Sequence, residues 1–264
     1  MKVAMMQPSF LPWLGFFELM YQSERFIFLD DFQFSVQSYH QRNRLFCNRG
    51  QVDWYTVPIQ KTSSFKLPLN KVSIMETIPW RAKMWKRIQQ NYSKAAYYHE
   101  IAPLIEKWLL STARSLTENN LNFIMTVCHI LNLKRDCRFS SQLPSKGQRS
   151  ERVLELLLWC EADCYYCARG SFDYMLEDGL FPAETVDIRF QDFRPKAYPQ
   201  VGSKESFFPY LSVLDALMNV GPNRTMELIV NGTEKWPCWD EMVAERSLKQ
   251  NSSIEDATVE GIDG

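Results

Sequence analysis

The chain has 264 residues, 45% of them apolar and 23% charged, which suits a globular protein with a substantial core and excludes a disordered or fibrous one. Thirty Lys and Arg face 31 Asp and Glu, so no net basic field exists to hold a polyanion by counterion release, and nucleic acid is not an expected partner. Seven cysteines without paired spacing read as free thiols in a reducing compartment.

Residues 2–6, KVAMM, form a short apolar run that ends at Gln7 and Pro8, as a strand running into a loop does. The same break, with no small-residue cleavage site, argues against a secretory signal and makes the cytoplasm the expected location. The apolar stretch from Phe10 to Met20 is shorter than the ~18 residues of a membrane helix and carries Gly15 and Glu18, so no membrane insertion is expected. After Gly15 its spacing is helical, and RFIFLD follows as a second strand; strand, helix, strand predicts a parallel sheet. RLFCNRGQVDWYTVPI is two strand-like runs around Asn48-Arg49-Gly50, the pattern of a hairpin. Apolar residues at 3.6-residue spacing predict helices over 80–92, 101–115 and 119–132. A capping box of Ser145 and Gln148 is expected to open a further helix with Val153, Leu154, Leu157 and Leu158 inward. DCYYCA and TVDIRF read as strands, and FFPYLSVLDALMNVG as a helix closed by Gly221 in a left-handed conformation. The fold class is therefore α/β: a Rossmann-like, mostly parallel sheet flanked by helices, with a β-hairpin insertion and a helical C-terminal half. Residues 1–246 make a single domain and 247–264 a polar, loose tail.

The loop after the first strand carries most information. QPSFLPWLGFFELM places backbone N–H groups at a helix start near Gly15, a favourable place for phosphate or carboxylate, which makes Gln7, Pro8 and Gly15 candidate binding positions. Asp30 and Asp31 end the second strand, where α/β folds place ligand contacts. Within a strand they would point to opposite faces, so one of them faces a site; Asp31 is the candidate base or hydroxyl holder. His40, beside the polar loop, is a second candidate base. Arg42, Asn43 and Arg44 supply an amide and forked cations suited to carboxylate or phosphate, against the plainer reading of a solvated turn. SSQLPSKGQRSER offers a second anion cradle through Ser141, Lys146 and Arg149, equally explained by helix capping. Arg81 heads a basic cluster with Lys83, Lys86 and Arg87 that suits a phosphate-bearing ligand or a solvated helix face. Gln191, Asp192, Tyr198, Tyr210 and Asp215 add polar groups to the last segments without a defined pattern.

Cys160, Cys164 and Cys167 have the C-x3-C-x2-C spacing with which radical-SAM enzymes hold a four-iron cluster. Here Cys160 ends a helix and the other two lie on a strand, whose alternation sends them to opposite faces. Buried free cysteine is the better account, and His40, His99 and His129 show no paired ligand spacing for a metal. No cofactor is assigned.

The ordered blocks MQPSFLPWLGFFELM, LDDFQF, QRNRL, WYTVPI, WRAKMWKRIQQNYSKAAYY, SSQLPSKGQRSERVLEL, FQDFRPKAYPQ and FFPYLSVLDALMNVGP resemble the WbqC-like family of bacteria over about residues 1–225. Members of that family often accompany O-antigen and other surface-polysaccharide genes. The resemblance implies a cytoplasmic protein of glycan assembly, with Gln7, Pro8, Gly15, Asp31, Gln33, Asn43, Arg44 and Arg81 matching recurring family positions. It departs from the family at CARGSFDYM, where relatives tend to have a small Ser-Gly-rich stretch before Tyr174. Together these readings predict an enzyme, a transferase acting on a nucleotide-linked sugar or similar activated anionic small molecule. Asp31 and His40 would be catalytic; Gln7, Pro8, Gly15, Asp30, Gln33, Asn43, Arg44, Arg81, Ser141, Lys146, Arg149 and Tyr174 would bind substrate, and the oligomeric state is open. The rival classes are a non-catalytic binding or scaffolding protein of the same pathway and a radical-SAM-type iron-sulfur protein.

Overall fold

The described residues form seven strands: β1 (Lys2–Met6), β2 (Arg25–Phe28), β3 (Arg42–Cys47), β4 (Gln51–Thr56), β5 (Asp136–Phe139), β6 (Cys164–Ala168) and β7 (Asp187–Gln191). The computed structural model describes residues 1–47, 50–60, 66–181, 184–203 and 206–248. Five of the strands make one parallel sheet in the order β5-β2-β1-β6-β7, and β3 and β4 pair antiparallel as a separate hairpin. β1 sits at the centre, with Met6 opposite Phe28 on β2 and Ala4 opposite Tyr166 on β6. It sends Ala4 and Met6 into one apolar cluster and Val3 and Met5 into the other. A strand buried on both faces reads as an unbroken apolar run, which is why KVAMM shows no alternation.

Parallel neighbours need long crossovers, and helices supply them. α1 (Leu14–Gln22), α2 (Trp80–Tyr92), α3 (Tyr98–Leu109), α4 (Leu116–Ile130) and α7 (Val213–Val230) pack on the Ala4 face; α5 (Arg149–Trp159) and α6 (Ser171–Asp178) pack on the Val3 face. A helical segment at 239–248 joins the second group through Trp239 and Met242. On the first face Phe16, Phe17, Phe26 and Phe28 are fully buried, each contributing about 2–3 kcal/mol of transfer free energy. The chain runs from β1 outward through β2 to β5, then returns past β1 to β6 and β7. That reversal at β1 opens a crevice at the carboxyl ends of β1 and β6, where ligands of such sheets sit.

Three local expectations are corrected. Ser145 and Gln148 form no capping box: Gln148 caps α5 without a side-chain bond, the Ser145 hydroxyl accepts from Arg152 Nε at 3.2 Å, and Glu155 takes the Lys146 and Gly147 N–H groups at 2.8 and 3.0 Å. Gly221 (φ 73°, ψ 177°) does break the helix, but in an extended positive-φ conformation and not a left-handed helical one, and Pro222 restarts a second helix at once, so that α7 is kinked there. A Cβ at Gly221 would meet the Tyr97 ring at 2.4 Å, so glycine is required there twice over. Asp30 and Asp31 do not diverge across a strand, since both lie beyond the end of β2 and both reach Ser140. The hairpin turn Asn48-Arg49 and most of the expected tail lie outside the described residues, while 247 and 248 continue the helical segment. Among the described residues, no helix is long and apolar enough to cross a membrane.

Candidate functional site

The loop from Gln7 to Trp13 forms the rim of the crevice, and buried amides hold it in place. Asn43 Nδ2 donates to the carbonyls of Leu11 (2.7 Å) and Phe10 (3.3 Å), while its Oδ1 accepts from Arg44 N–H at 2.8 Å. Asn120, on α4, donates to the carbonyls of Pro8 (2.9 Å) and His40 (2.8 Å), so it joins the first loop to the segment before β3. Leu11 adopts φ 46° within this loop, a cost that the two asparagines help to offset. Replacing Asn120 with Leu is expected to leave both carbonyls without their buried donor and to lower stability by about 1–3 kcal/mol. A smaller change in a urea titration would show that the loop is held by other contacts.

One lobe of the crevice, ≈ 550 Å³, has walls that are largely apolar, among them Leu29, Phe32 and Val153, and carries most of the crevice's polar side chains, for which it is called the polar lobe. Gln7, Ser38, His40, Arg149, Ser171 and Tyr174 line it above a floor that includes Met5 and Tyr165. His40 Nε2 lies 2.7 Å from Gln7 Oε1, and the Ser35 N–H points at His40 Nδ1 at 3.4 Å. Since Ser35 is a donor, Nδ1 must accept, Nε2 must carry the proton, and Gln7 must offer its oxygen. Both imidazole nitrogens are therefore occupied, and the Gln7 NH2 group makes no hydrogen bond among the described residues. Burial lowers the His40 pKa to about 4, so the ring is neutral at ordinary pH. Burial likewise pushes the Tyr174 phenol up to about 12, keeping it a neutral hydroxyl. Arg149 (φ 50°) enters the lobe already facing Glu177 at 3.6 Å and Asp178 at 3.3 Å.

The second lobe, ≈ 410 Å³, shares Met6, Ser9 and Tyr39 with the first and is walled by Trp13, Phe16 and Tyr210, with Asn43 and Arg44. Trp13 folds back onto the start of α1, where a Cβ at Gly15 would meet its ring at 2.4 Å. Gly15 thus serves close approach by the indole, which covers the helix start expected to cradle an anion. Ser212 N–H donates to the Arg44 carbonyl at 3.1 Å and Val213 N–H to Pro12 at 2.8 Å, seating the hairpin beside the first loop. Arg42 and Arg44 both lie over the Trp54 ring, at 4.4 and 6.0 Å. Among the described residues no carboxylate pairs with Arg44, and its buried Nε has no acceptor.

Of the residues predicted from sequence, Gln7, His40, Asn43, Arg44, Arg149 and Tyr174 come together around this crevice. The others are placed elsewhere. Asp30 takes Ser141 N–H at 3.0 Å and the Ser141 hydroxyl at 2.7 Å, and Asp31 takes the Ser140 hydroxyl at 2.5 Å and pairs with Arg152, so these carboxylates clasp the loops after β2 and β5. Arg81 spends its guanidinium on Asn119, Glu76 and the carbonyls of Leu109 and Ala113. Pro8 is buried beneath the rim, and Gln33 and Lys146 are exposed away from the lining. Cys164 and Cys167 are half-buried and buried on opposite sides of β6, and all seven cysteines are free. Tyr39, Ser38 and Ser171 had no distinguishing sequence signal. Asn120 had one, an amide at the buried Leu116, Phe123, Val127 spacing of α4. A further depression of ≈ 660 Å³ lies at the amino ends of β1, β2 and β5, by Lys2 and Arg135, but Arg135 there already donates to the carbonyls of Met20 and Tyr21.

The model of the WbqC-like protein family matches residues 7–227. The chain is also 27% identical over 222 residues, 83% of its own length and 94% of the other's, to a Mycobacterium tuberculosis protein named only as uncharacterized protein Rv1507c. No solved structure matches.

Proposed function

For a chain that belongs to the WbqC-like protein family, we propose that the crevice binds a nucleotide-linked sugar or a similarly activated anionic small molecule and that the protein transfers a group to or from it in surface-polysaccharide assembly. The observation that carries this reading is the Gln7–His40 pair at the carboxyl end of β1, which fixes the Gln7 amide in the wall of an open cavity. Backbone strain supports the same place, since Arg149 and Tyr210, both lining residues, hold φ 50° and 58°. Catalysis here would rest on positioning and on oriented donors, with the co-substrate supplying the nucleophile. His40 is then a positioning residue, acting through Gln7.

A second reading, a binding protein of the same pathway without turnover, is favoured by one specific feature. Both ring nitrogens of His40 are engaged and Tyr174 is held far from ionisation, so the polar lobe offers neither as a free base. A thermal-shift screen against nucleotides and nucleotide sugars tests the shared premise. A true ligand at a hundredfold excess over its Kd should add about 2.7 kcal/mol of stability, and silence across the whole set would end the proposal. Turnover of a stabilising ligand by purified protein then separates enzyme from binder.

A further inference from the structure

Resting on that reading, we propose that the two lobes divide the ligand: the nucleotide end lies in the aromatic lobe with its phosphate on Arg44, and the sugar lies over Gln7 in the polar lobe. Charge separates the two. In the polar lobe Arg149 already faces both Glu177 and Asp178, so its charge is shared with two carboxylates before any phosphate arrives. In the aromatic lobe Arg44 has no carboxylate partner among the described residues and a buried Nε without an acceptor. A forked guanidinium with no carboxylate partner, set in an apolar wall, is suited to a phosphate that takes two of its N–H groups.

The walls agree with the charge. Tyr210 leaves 47% of its surface open to water although it lines this lobe, as does Tyr39, on the border of the two lobes, with 50%, and Trp13 and Tyr210 lie with ring centroids 5.6 Å apart. Tyr210 is held there in a left-handed backbone conformation (φ 58°) that a tyrosine rarely adopts. Half-exposed rings around an unpaired cation suit a flat, partly apolar group joined to an anion, as in a nucleobase with its phosphates. The polar lobe instead presents the Gln7 amide and the mutually hydrogen-bonded Ser171 and Tyr174 hydroxyls, neutral groups that keep acceptor capacity for sugar hydroxyls.

Calorimetric titration of the full chain with the diphosphates of uridine, guanosine and deoxythymidine, and with their hexose conjugates, tests this orientation. At least one diphosphate should bind without its sugar. Arg44→Gln should weaken that diphosphate and its conjugate alike by about ten- to a hundredfold, and Arg44→Lys, which keeps the charge but loses the fork, by less. Gln7→Leu should weaken the conjugate and spare the diphosphate. The opposite pattern, in which Gln7→Leu removes diphosphate binding and both Arg44 variants keep it, overturns the orientation while leaving the crevice as the site. Failure of every compound to bind the unaltered protein overturns the proposed function and this inference with it.

Discussion

Asp215→Ala is expected to lower the free energy of unfolding by about 3–5 kcal/mol, a large part of the 5–15 kcal/mol that holds an ordinary domain together. Asp215 is fully buried at the first turn of α7. No cation answers it among the described residues; instead Tyr92 donates to Oδ1 at 2.7 Å, and Tyr198 and Gln200 donate to Oδ2 at 2.7 and 2.8 Å. Removing the carboxylate leaves two phenols and an amide buried without their acceptor. Tyr92 in turn accepts the Phe46 N–H at 3.1 Å, so the same carboxylate anchors β3, α2, α7 and the 198–200 segment. Arg44 sits on β3 and Tyr210 just ahead of α7, which makes this hub the support of the aromatic lobe as well. Asp215→Asn should be milder, because its amide oxygen can keep Tyr198 and Gln200 while its NH2 group is turned toward Tyr92 alone. A urea titration that shows less than about 1 kcal/mol of loss for Asp215→Ala would mean that the three donors find other partners.

What could be read from the sequence is what depends on neighbours in the chain. The face of α2 was legible in Trp85, Ile88 and Tyr92 at helical spacing: Ile88 and Tyr92 are buried, while Trp85 is only partly covered because Trp80 and Met84 complete the inward stripe. The hairpin follows from two strand-like runs meeting near Gly50, whose φ is 77°. The order of the sheet could not be read in this way. β5 lies more than a hundred residues beyond β2 and still pairs with it, Arg25 opposite Asp136, because the chain between them forms the hairpin and three helices of the same face. The site divides along the same line. Gln7, His40 and Arg44 were legible as polar residues in loops near strand ends, but the asparagine that brings Gln7 and His40 together comes 80 residues after His40. Asp30, Asp31 and Arg81 have the residue types of a binding site, and their hydrogen bonds go to the frame; only the position of Ser140, Arg152 and Asn119 in space reveals that.

His40 should give the protein a measurable loss of stability on mild acidification. Burial holds its folded pKa at about 4, whereas the unfolded chain takes up the proton near the ordinary value of about 6.5. Between those values the unfolded state binds more protons, so the stabilisation is complete above about pH 6.5 and is lost as pH falls toward 4; two and a half pKa units correspond to about 3 kcal/mol. Two other buried groups act with the opposite sign. Glu18, held by Gln191 and Thr233, and Asp215 both have pKa values raised by burial, so they take up protons on folding and favour the native state on the acid side. The raw pH curve is therefore a sum, and the difference between the unaltered protein and His40→Gln isolates the imidazole. That difference in unfolding free energy should shrink by about 3 kcal/mol from pH 7 to pH 4. A constant difference over that range would mean that His40 accepts its proton in the folded state as readily as in the unfolded one. It would then be a solvent-reached imidazole, free to turn away from Gln7, and the fixed amide on which the reading of the polar lobe rests would be lost.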